Sequence, residues 1–210
     1  ELGSGRLVVH GNADRVLDRA QADEDTARQK AEKTATARHA QVLAERHEES
    51  EHTQIQYLLI RLGKALGYDV HVARNDRHRT WEGQSFAMLT VEQLPQYGWP
   101  EDVLDTVRLI DVLWLRRSGG EIVTAFEVEK STSIYSGILR LEDLARSLAD
   151  CACRFYLVAP QKREGEVMAQ LSRPAFRHSA SKGSMAYIPF SELCAHCDAM
   201  GRFGEDHTIL

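Results

Sequence analysis

The sequence predicts an α/β domain with a mixed central β-sheet flanked by helices, preceded by an N-terminal helical extension. Short segments rich in β-branched and aromatic residues alternate with amphipathic helical segments. Two of the strand-like segments are joined by a turn that contains Gly119 and Gly120, which indicates an antiparallel hairpin. At 210 residues the chain is long enough for one such domain with a sizeable core and some additional structure.

Residues 1–50 are predicted to form a helical connector or stalk. Ala, Glu, Arg, Gln, Asp and Lys dominate this segment, so it favours a helix by intrinsic propensity but has few large apolar side chains to bury. A dimerising coiled coil is the less consistent alternative, because no apolar heptad persists over three or four repeats. Since the sequence begins with Glu1 rather than Met, we expect additional domains of a longer chain.

Residues 51–210 are predicted to form the α/β domain. Its opening amphipathic helix begins near Thr53 and stops at Gly67, a residue type favoured just after a helix C-terminus. After it we expect a strand, a two-strand hairpin, a helix, a strand, a helix, a strand and a helix. Their predicted bounds are Tyr68–Val72, Val107–Leu115, Glu121–Glu129, Ser133–Asp150, Arg154–Pro160, Gly165–Leu171, Met185–Phe190 and Ser191–Met200.

The predicted hairpin carries three acidic residues, Asp111, Glu127 and Glu129. With the turn centred on the glycine pair, Asp111 lies opposite Glu127 and Leu115 opposite Val123, and alternation puts all three acids on one face. Like charges about 5 Å apart across antiparallel strands destabilise a sheet, whereas a hard divalent cation would stabilise them. The pattern therefore predicts a Mg²⁺ or Mn²⁺ site. The alternative is a solvated hairpin face, which the apolar neighbours on both strands disfavour.

Four arginines are candidates for contact with nucleic-acid phosphates. Arg74, Arg77 and Arg79 lie in a basic segment after the first predicted strand, and Arg140 lies on the predicted helix that follows the hairpin. A solvated turn is the alternative for the first three. The formal net charge of −5 and the pI near 6.0 argue against a protein that coats nucleic acid through overall positive charge, but a local basic patch is compatible with them.

The cysteines occur as two close pairs, Cys151 with Cys153 and Cys194 with Cys197, the second pair enclosing His196. These residues could supply zinc ligands, although only one residue separates the first pair. The alternative is that the first pair is buried at a helix-to-strand junction and the second lies on a C-terminal helix. No apolar run approaches the length of a membrane span and no signal-peptide pattern opens the chain, so we expect a cytoplasmic protein without a membrane partner.

The predicted order of elements and the acidic motif together resemble the PD-(D/E)XK nuclease superfamily over roughly residues 51–205. Asp111 in LIDVLW matches the aspartate of that family, and Glu127 in AFEVEKS matches its second acidic residue. The chain departs from the pattern where the family usually has Lys, because Glu129 occupies that position and Lys130 follows it. The acid that the family often places on the opening helix matches Glu51 or Glu49 loosely, with Gln54 as a polar alternative.

The resemblance implies a restriction-endonuclease-like core and a Mg²⁺- or Mn²⁺-dependent endonuclease that hydrolyses DNA, with a role in restriction or anti-phage defence. Asp111, Glu127 and the backbone carbonyl of Val128 would bind the metal. Glu129 would bind a second metal or accept a proton from water, and Lys130 would orient the attacking water. Two alternatives remain open: a catalytically inactive module of this fold that binds nucleic acid or assembles a larger complex, and an RNA-cleaving effector. A homodimer is a further expectation, since nucleases of this fold that cut both strands usually need two active sites.

Because the acids are crowded in this interpretation, it also predicts that Ala at Asp111 or Glu127 abolishes cleavage without lowering thermal stability.

Overall fold

The computed structural model describes residues 10–130, 134–148, 153–177 and 185–204, with the helical backbone alone at 10–25, 48 and 198–204. The chain divides into two compact units, Glu1–His47 and Glu48–Leu210. Helix α1 runs from His10 to Ala65. In the first unit, every described side chain, from residue 26 to residue 47, is exposed.

The second unit contains seven strands within its described residues: β1 Asp69–Val72, β2 Thr80–Trp81, β3 Gln84–Ser85, β4 Val112–Leu115, β5 Ile122–Val128, β6 Arg154–Ala159 and β7 Met185–Pro189. Its helices after α1 are α2 Phe86–Leu89, α3 Glu101–Val107, α4 Ile134–Ser147, α5 Glu164–Leu171, α6 Pro174–Arg177 and α7 Phe190–Gly204, with a 3₁₀ turn at Gln161–Arg163. None of the helices in the described part of the chain has the length and apolar character needed to cross a membrane.

Five strands form one mixed sheet in the order β1-β4-β5-β6-β7, while β2 and β3 form a separate small hairpin. β1, β4 and β5 are antiparallel neighbours, and β6 and β7 continue the sheet in parallel with β5. The predicted α/β class, with a mixed sheet flanked by helices, is therefore confirmed.

The first hairpin strand is shorter than predicted. It was expected from Val107, but Val107 ends α3 and β4 begins only at Val112. The missed signal is local: Pro100 precedes the helix, and Glu101 and Asp102 occupy its first turn, where carboxylates interact favourably with the helix dipole.

The hairpin register agrees with the prediction over most of its length. Leu113 pairs with Ala125, as expected, so the register continues toward Asp111 and Glu127 at the open end of the hairpin. Near the turn the prediction is wrong, because the register shifts between Trp114 and Leu115 and Leu115 pairs with Ile122. The shift is confined to the turn end of the hairpin, so it does not alter the acidic end.

The hairpin strands are buried on both faces, and each face packs on a different helix. Leu113 and Ala125 belong to the core cluster that contains Ile138 of α4. Val112 and Phe126 belong to the cluster that contains Ile55 of α1. The end of the hairpin that carries Asp111 is therefore reached by side chains from α1 on one side and from α4 on the other.

The described cysteines occupy the places that the burial alternative predicts. Cys153 is buried just before β6, and Cys194 and Cys197 are half-buried on α7, against the α1-side core. Cys151 lies outside the described residues, so the zinc interpretation stays a prediction.

Candidate active site

Asp111 lies one residue before β4, at the end of the hairpin where β5 finishes. Its Oδ2 accepts a hydrogen bond from the Val128 N–H at 2.7 Å, and its side chain is 13% exposed. A backbone donor therefore fixes the carboxylate, which still has contact with solvent.

Side chains from α1 and from the loop after β1 converge on Asp111. His52 Nε2 lies 3.6 Å from Asp111 Oδ2. Gln56, one turn further along α1, donates from Nε2 to Asp76 Oδ2 at 2.7 Å and lies 3.5 Å from Asp111 Oδ1. The ligand atoms of His52, Asp76 and Asp111 all lie within 4.8 Å of one another, and this is the one such group of three in the described part of the chain. We call these three residues the His52 cluster.

Arg79, a predicted phosphate contact, is bound to protein groups instead. Its Nε donates to Asp76 Oδ1 at 2.5 Å, and its Nη1 donates to Thr53 Oγ1 at 2.9 Å and to Glu49 Oε1 at 3.2 Å. The guanidinium thus orients Asp76 toward Gln56 and links the loop to α1.

The two other arginines of this loop also contact protein groups. Arg77 donates to the Val91 carbonyl at 2.5 Å, which ties the loop to the segment after α2. Arg74 forms an ion pair with Asp105 at 3.3 Å, and its side chain remains 55% exposed. Of the three, Arg74 is the one whose exposure suits contact with a large ligand.

On the α4 side, Glu127 and Arg140 form a two-point ion pair. Arg140 Nε donates to Glu127 Oε1 at 2.8 Å and Nη2 donates to Oε2 at 2.5 Å, while Glu127 is fully buried. Glu129 is 2% exposed, with Oε1 at 3.9 Å from Arg140 Nη2. Helix α4 approaches these glutamates closely at Gly137, where an added Cβ would collide with Glu129 Oε1.

The electrostatics of this pair follow from its burial. Burial, and then repulsion from Asp111, raises the pKa of Glu127 well above its usual range, whereas the hydrogen bonds and charge of Arg140 act in the opposite direction. The same pairing raises the pKa of Arg140, so the guanidinium stays charged. Arg140 is thus the group that favours the ionised form of Glu127, against burial and the charge of Asp111.

Glu51 and Lys130 are the two remaining residues that the sequence assigned to the site. On α1, His52 and Gln56 reach Asp111 in place of Glu51, because residues four apart share one helix face and Glu51 lies about 100° around the helix from His52. Lys130 follows the end of β5 and is 9% exposed, so most of its side chain is buried. The roles assigned to Glu51 and Lys130 stay predictions.

Sequence reasoning missed His52, Gln56 and Asp76. A signal existed for the first two: they are polar residues one turn apart on a helix whose neighbouring positions, Ile55 and Leu59, are buried in the core. Asp76 was missed because it lies among arginines, and a single acid in such a segment is typical of a solvated basic loop.

The donors of this site fit a divalent cation. The His52 cluster offers one imidazole nitrogen and two carboxylates. Gln56 is fully buried, and its Oε1 has no hydrogen-bond partner among the described residues. Gln56 Nε2 faces the two carboxylates, so Oε1 would reach a cation there once the amide turns over, and a buried carbonyl oxygen without a partner is a natural cation ligand.

Comparison with known proteins identifies relatives of the chain. The family model for the type II restriction enzyme NmeDI C-terminal domain matches residues 28–201. The type II restriction enzyme NmeDI of Neisseria meningitidis serogroup C is 28% identical over 148 residues, which cover 68% of this chain and 41% of that enzyme. The chain thus spans about two fifths of the length of this relative. No solved structure matches, so the restriction-endonuclease-like topology itself stays a prediction.

Proposed function

Because this chain belongs to the family of the type II restriction enzyme NmeDI C-terminal domain, we propose that it is a metal-dependent endonuclease that hydrolyses phosphodiester bonds of DNA. We further propose, on the same family membership, a role in restriction or anti-phage defence. The resemblance to the PD-(D/E)XK superfamily supports the same reaction through Asp111 and Glu127.

The observation that carries this proposal is the position of Asp111 between two complementary groups. On one side lie the other donors of the His52 cluster, and on the other lies the charged guanidinium of Arg140. A divalent cation bound at Asp111 would lower the pKa of a water molecule and neutralise charge on the phosphoryl group. Arg140 has five N–H donors and gives two of them to Glu127, so further donors remain for a phosphate oxygen.

The glutamates take roles that depend on Arg140. While Arg140 is paired, both Glu127 oxygens accept hydrogen bonds, and Glu127 acts by holding the guanidinium at the site. For the predicted metal ligation by Glu127 and the Val128 carbonyl, Arg140 would have to release the carboxylate. Glu129 and Lys130 remain the residues proposed to accept the proton from water and to orient it, respectively, and Arg74 remains a proposed phosphate contact.

The proposal is tested by incubating the protein with supercoiled plasmid, linear duplex DNA and a structured RNA, in Mg²⁺, Mn²⁺ or EDTA. Asp111→Asn removes the proposed ligand charge, and Asp143→Asn, at an exposed position of α4, is the matched control. We expect cutting of DNA that requires the metal, persists in the control and is lost in Asp111→Asn. Equal cutting by Asp111→Asn would refute the assignment.

A second candidate function is a catalytically inactive module of the same fold that binds nucleic acid. The Arg140 pair with both Glu127 oxygens favours this candidate, because it occupies the carboxylate that the family motif assigns to the metal. A mobility shift of duplex DNA without cutting in any metal would support it. Cutting of the RNA alone would instead support the RNA-cleaving alternative.

A further inference from the structure

We propose that His52 and Asp76 bind the divalent cation together with Asp111, that the Gln56 side-chain oxygen is a fourth ligand, and that this site selects Mn²⁺ and other first-row transition-metal ions over Mg²⁺. This inference deepens the proposed function and rests on it only for the reaction that the cation serves. It differs from the site that the hairpin motif predicts, since two of its protein segments, α1 and the loop after β1, lie outside the hairpin.

The spacing of the donors is slightly wider than that of a single coordination sphere. Two ligands that each lie about 2.1 Å from one ion are about 3 Å apart when adjacent and about 4.2 Å apart when opposite. The observed separation between His52 Nε2 and Asp111 Oδ2 is 3.6 Å, and all the donor atoms of the His52 cluster lie within 4.8 Å. Both separations exceed those of adjacent ligands, so binding would require the three side chains to rotate inward toward the ion.

Gln56 gives independent evidence that a ligand belongs here. Its Nε2 contacts both Asp76 and Asp111, so the amide nitrogen points into the cluster, while the buried Oε1 on the other side of the amide has no partner among the described residues. Leaving a buried amide oxygen unsatisfied costs about 1–3 kcal/mol. If the amide turns over, Oε1 replaces Nε2 beside the carboxylates, and a cation held there would satisfy that oxygen and replace the two lost hydrogen bonds.

Contacts outside the cluster orient its two carboxylates. Arg79 binds Asp76 Oδ1 and leaves Oδ2 facing Gln56, and the Val128 N–H holds Asp111 Oδ2. Such supporting hydrogen bonds are typical of metal sites, where they fix the ligands before the ion binds. Arg79 supplies one positive charge against the two carboxylates, so the addition of a cation remains favourable.

The nitrogen ligand determines the class of metal. Mg²⁺ is bound mostly through carboxylates, phosphates and water, whereas imidazole suits transition-metal ions. An all-carboxylate site on the hairpin would accept Mg²⁺ readily. A site that includes His52 should instead favour Mn²⁺, and more strongly Co²⁺ or Ni²⁺.

The test is pulsed electron paramagnetic resonance of Mn²⁺ bound to the protein without DNA, together with Mn²⁺ and Mg²⁺ titrations. We expect a ¹⁴N coupling from one imidazole in the parent protein and a preference for Mn²⁺ over Mg²⁺. His52→Gln should remove the coupling and reduce Mn²⁺ affinity by at least about tenfold. His47→Gln, at an exposed position on α1, is the matched control and should change neither result.

Two further variants separate this site from the hairpin site. Asp76→Asn should weaken Mn²⁺ binding by at least about tenfold while the ¹⁴N coupling persists at saturating metal. Glu127→Gln should leave the coupling in place. Mn²⁺ that binds the parent protein without a ¹⁴N coupling, or a Glu127→Gln protein that loses Mn²⁺ while His52→Gln retains it, would overturn the inference.

These spectra also distinguish the inference from the proposed function. A ¹⁴N coupling in a protein that cuts no nucleic acid would uphold the metal site and refute the nuclease. Metal-dependent cutting by a parent protein that shows no coupling would uphold the nuclease and overturn the site.

Discussion

The buried Glu127–Arg140 ion pair leads to a stability prediction that is opposite to the one based on the sequence. Crowded acids on the hairpin suggest that removing Glu127 relieves repulsion, so that substitution is harmless or stabilising. In the structure, however, Arg140 compensates this charge with two hydrogen bonds. We therefore expect that loss of the cation, through Arg140→Met, destabilises the protein more than loss of the anion through Glu127→Gln. Methionine keeps most of the aliphatic stem, so the comparison isolates the charge.

The magnitudes follow from the exposure of the two partners. Arg140→Met leaves Glu127, at 0% exposure, without the guanidinium that donates to both of its oxygens. Breaking a buried pair in this way costs about 3–5 kcal/mol of unfolding free energy. Glu127→Gln leaves Arg140, whose side chain is 29% exposed and can turn toward solvent, so we expect a cost of about 1–2 kcal/mol. The double variant should recover at least about 1 kcal/mol relative to Arg140→Met, because no ionised Glu127 is then buried.

The cost of Arg140→Met should also depend on pH. Without Arg140, burial and Asp111 raise the pKa of Glu127 unopposed, and a protonated carboxyl tolerates burial. The loss of unfolding free energy relative to the parent protein should therefore be small in acid. It should grow as the pH rises through the folded-state pKa of Glu127.

Urea unfolding, followed by the fluorescence of buried Trp114, measures these free energies at about pH 5.5 and about pH 8. Comparison with the parent protein at each pH cancels the titration of other groups. The reasoning is refuted if Arg140→Met matches the parent protein at both pH values. It is also refuted if the double variant is as unstable as Arg140→Met at the higher pH.

His71 and Gly137 give two further predictions about stability. Burial lowers the pKa of His71 from 6.5 to about 4, so the stabilisation present above pH 6.5 is lost as the pH falls toward 4, by about 3 kcal/mol. His71→Gln should flatten this dependence in urea titrations, and an unchanged slope would contradict the assignment. Gly137→Ala should destabilise by about 1–3 kcal/mol because its Cβ meets Glu129, although Ala is the better helix former. Thermal melting of both variants tests this: Gly165→Ala, whose Cβ meets nothing within 4 Å, should be neutral or stabilising, and equal behaviour of the two variants would refute the steric argument.

The part of the site that could be predicted is the part that depends on the alternation of side chains along the hairpin strands. Strand period and a glycine turn were enough to place Leu113 opposite Ala125 and to direct Asp111 and Glu127 to one end of the hairpin. The register shift near the turn escaped prediction because the turn packs on distant residues. The Tyr97 hydroxyl donates to the Gly120 carbonyl, and Gly120, at φ +70°, lies against Pro95.

The donors outside the hairpin could not be predicted in the same way, because they meet only after the sheet and α1 have packed. His52 and Gln56 are adjacent on one helix face, but nothing in the sequence indicates that this face ends beside Asp111. Asp76 was hidden by its arginine neighbours, and the structure shows that one of them, Arg79, holds it in place. Of the arginines in this loop, Arg74 and Arg79 bind acids of the same chain and Arg77 binds a backbone carbonyl.

The departure from the family motif at Glu129 also involves a contact between residues that are distant in the sequence. The sequence has Glu129 where the resemblance predicts Lys, which suggests that a positive charge is missing from the acidic end of the hairpin. In the structure a cation does lie beside Glu127 and Glu129, but it is Arg140 of α4, thirteen residues after Glu127. Gly137 lets α4 come close enough for this contact, since a side chain there would collide with Glu129. A positive charge thus reaches the acidic end of the hairpin from α4 and not from the motif position. The altered motif is therefore by itself no evidence that the chemistry has been lost.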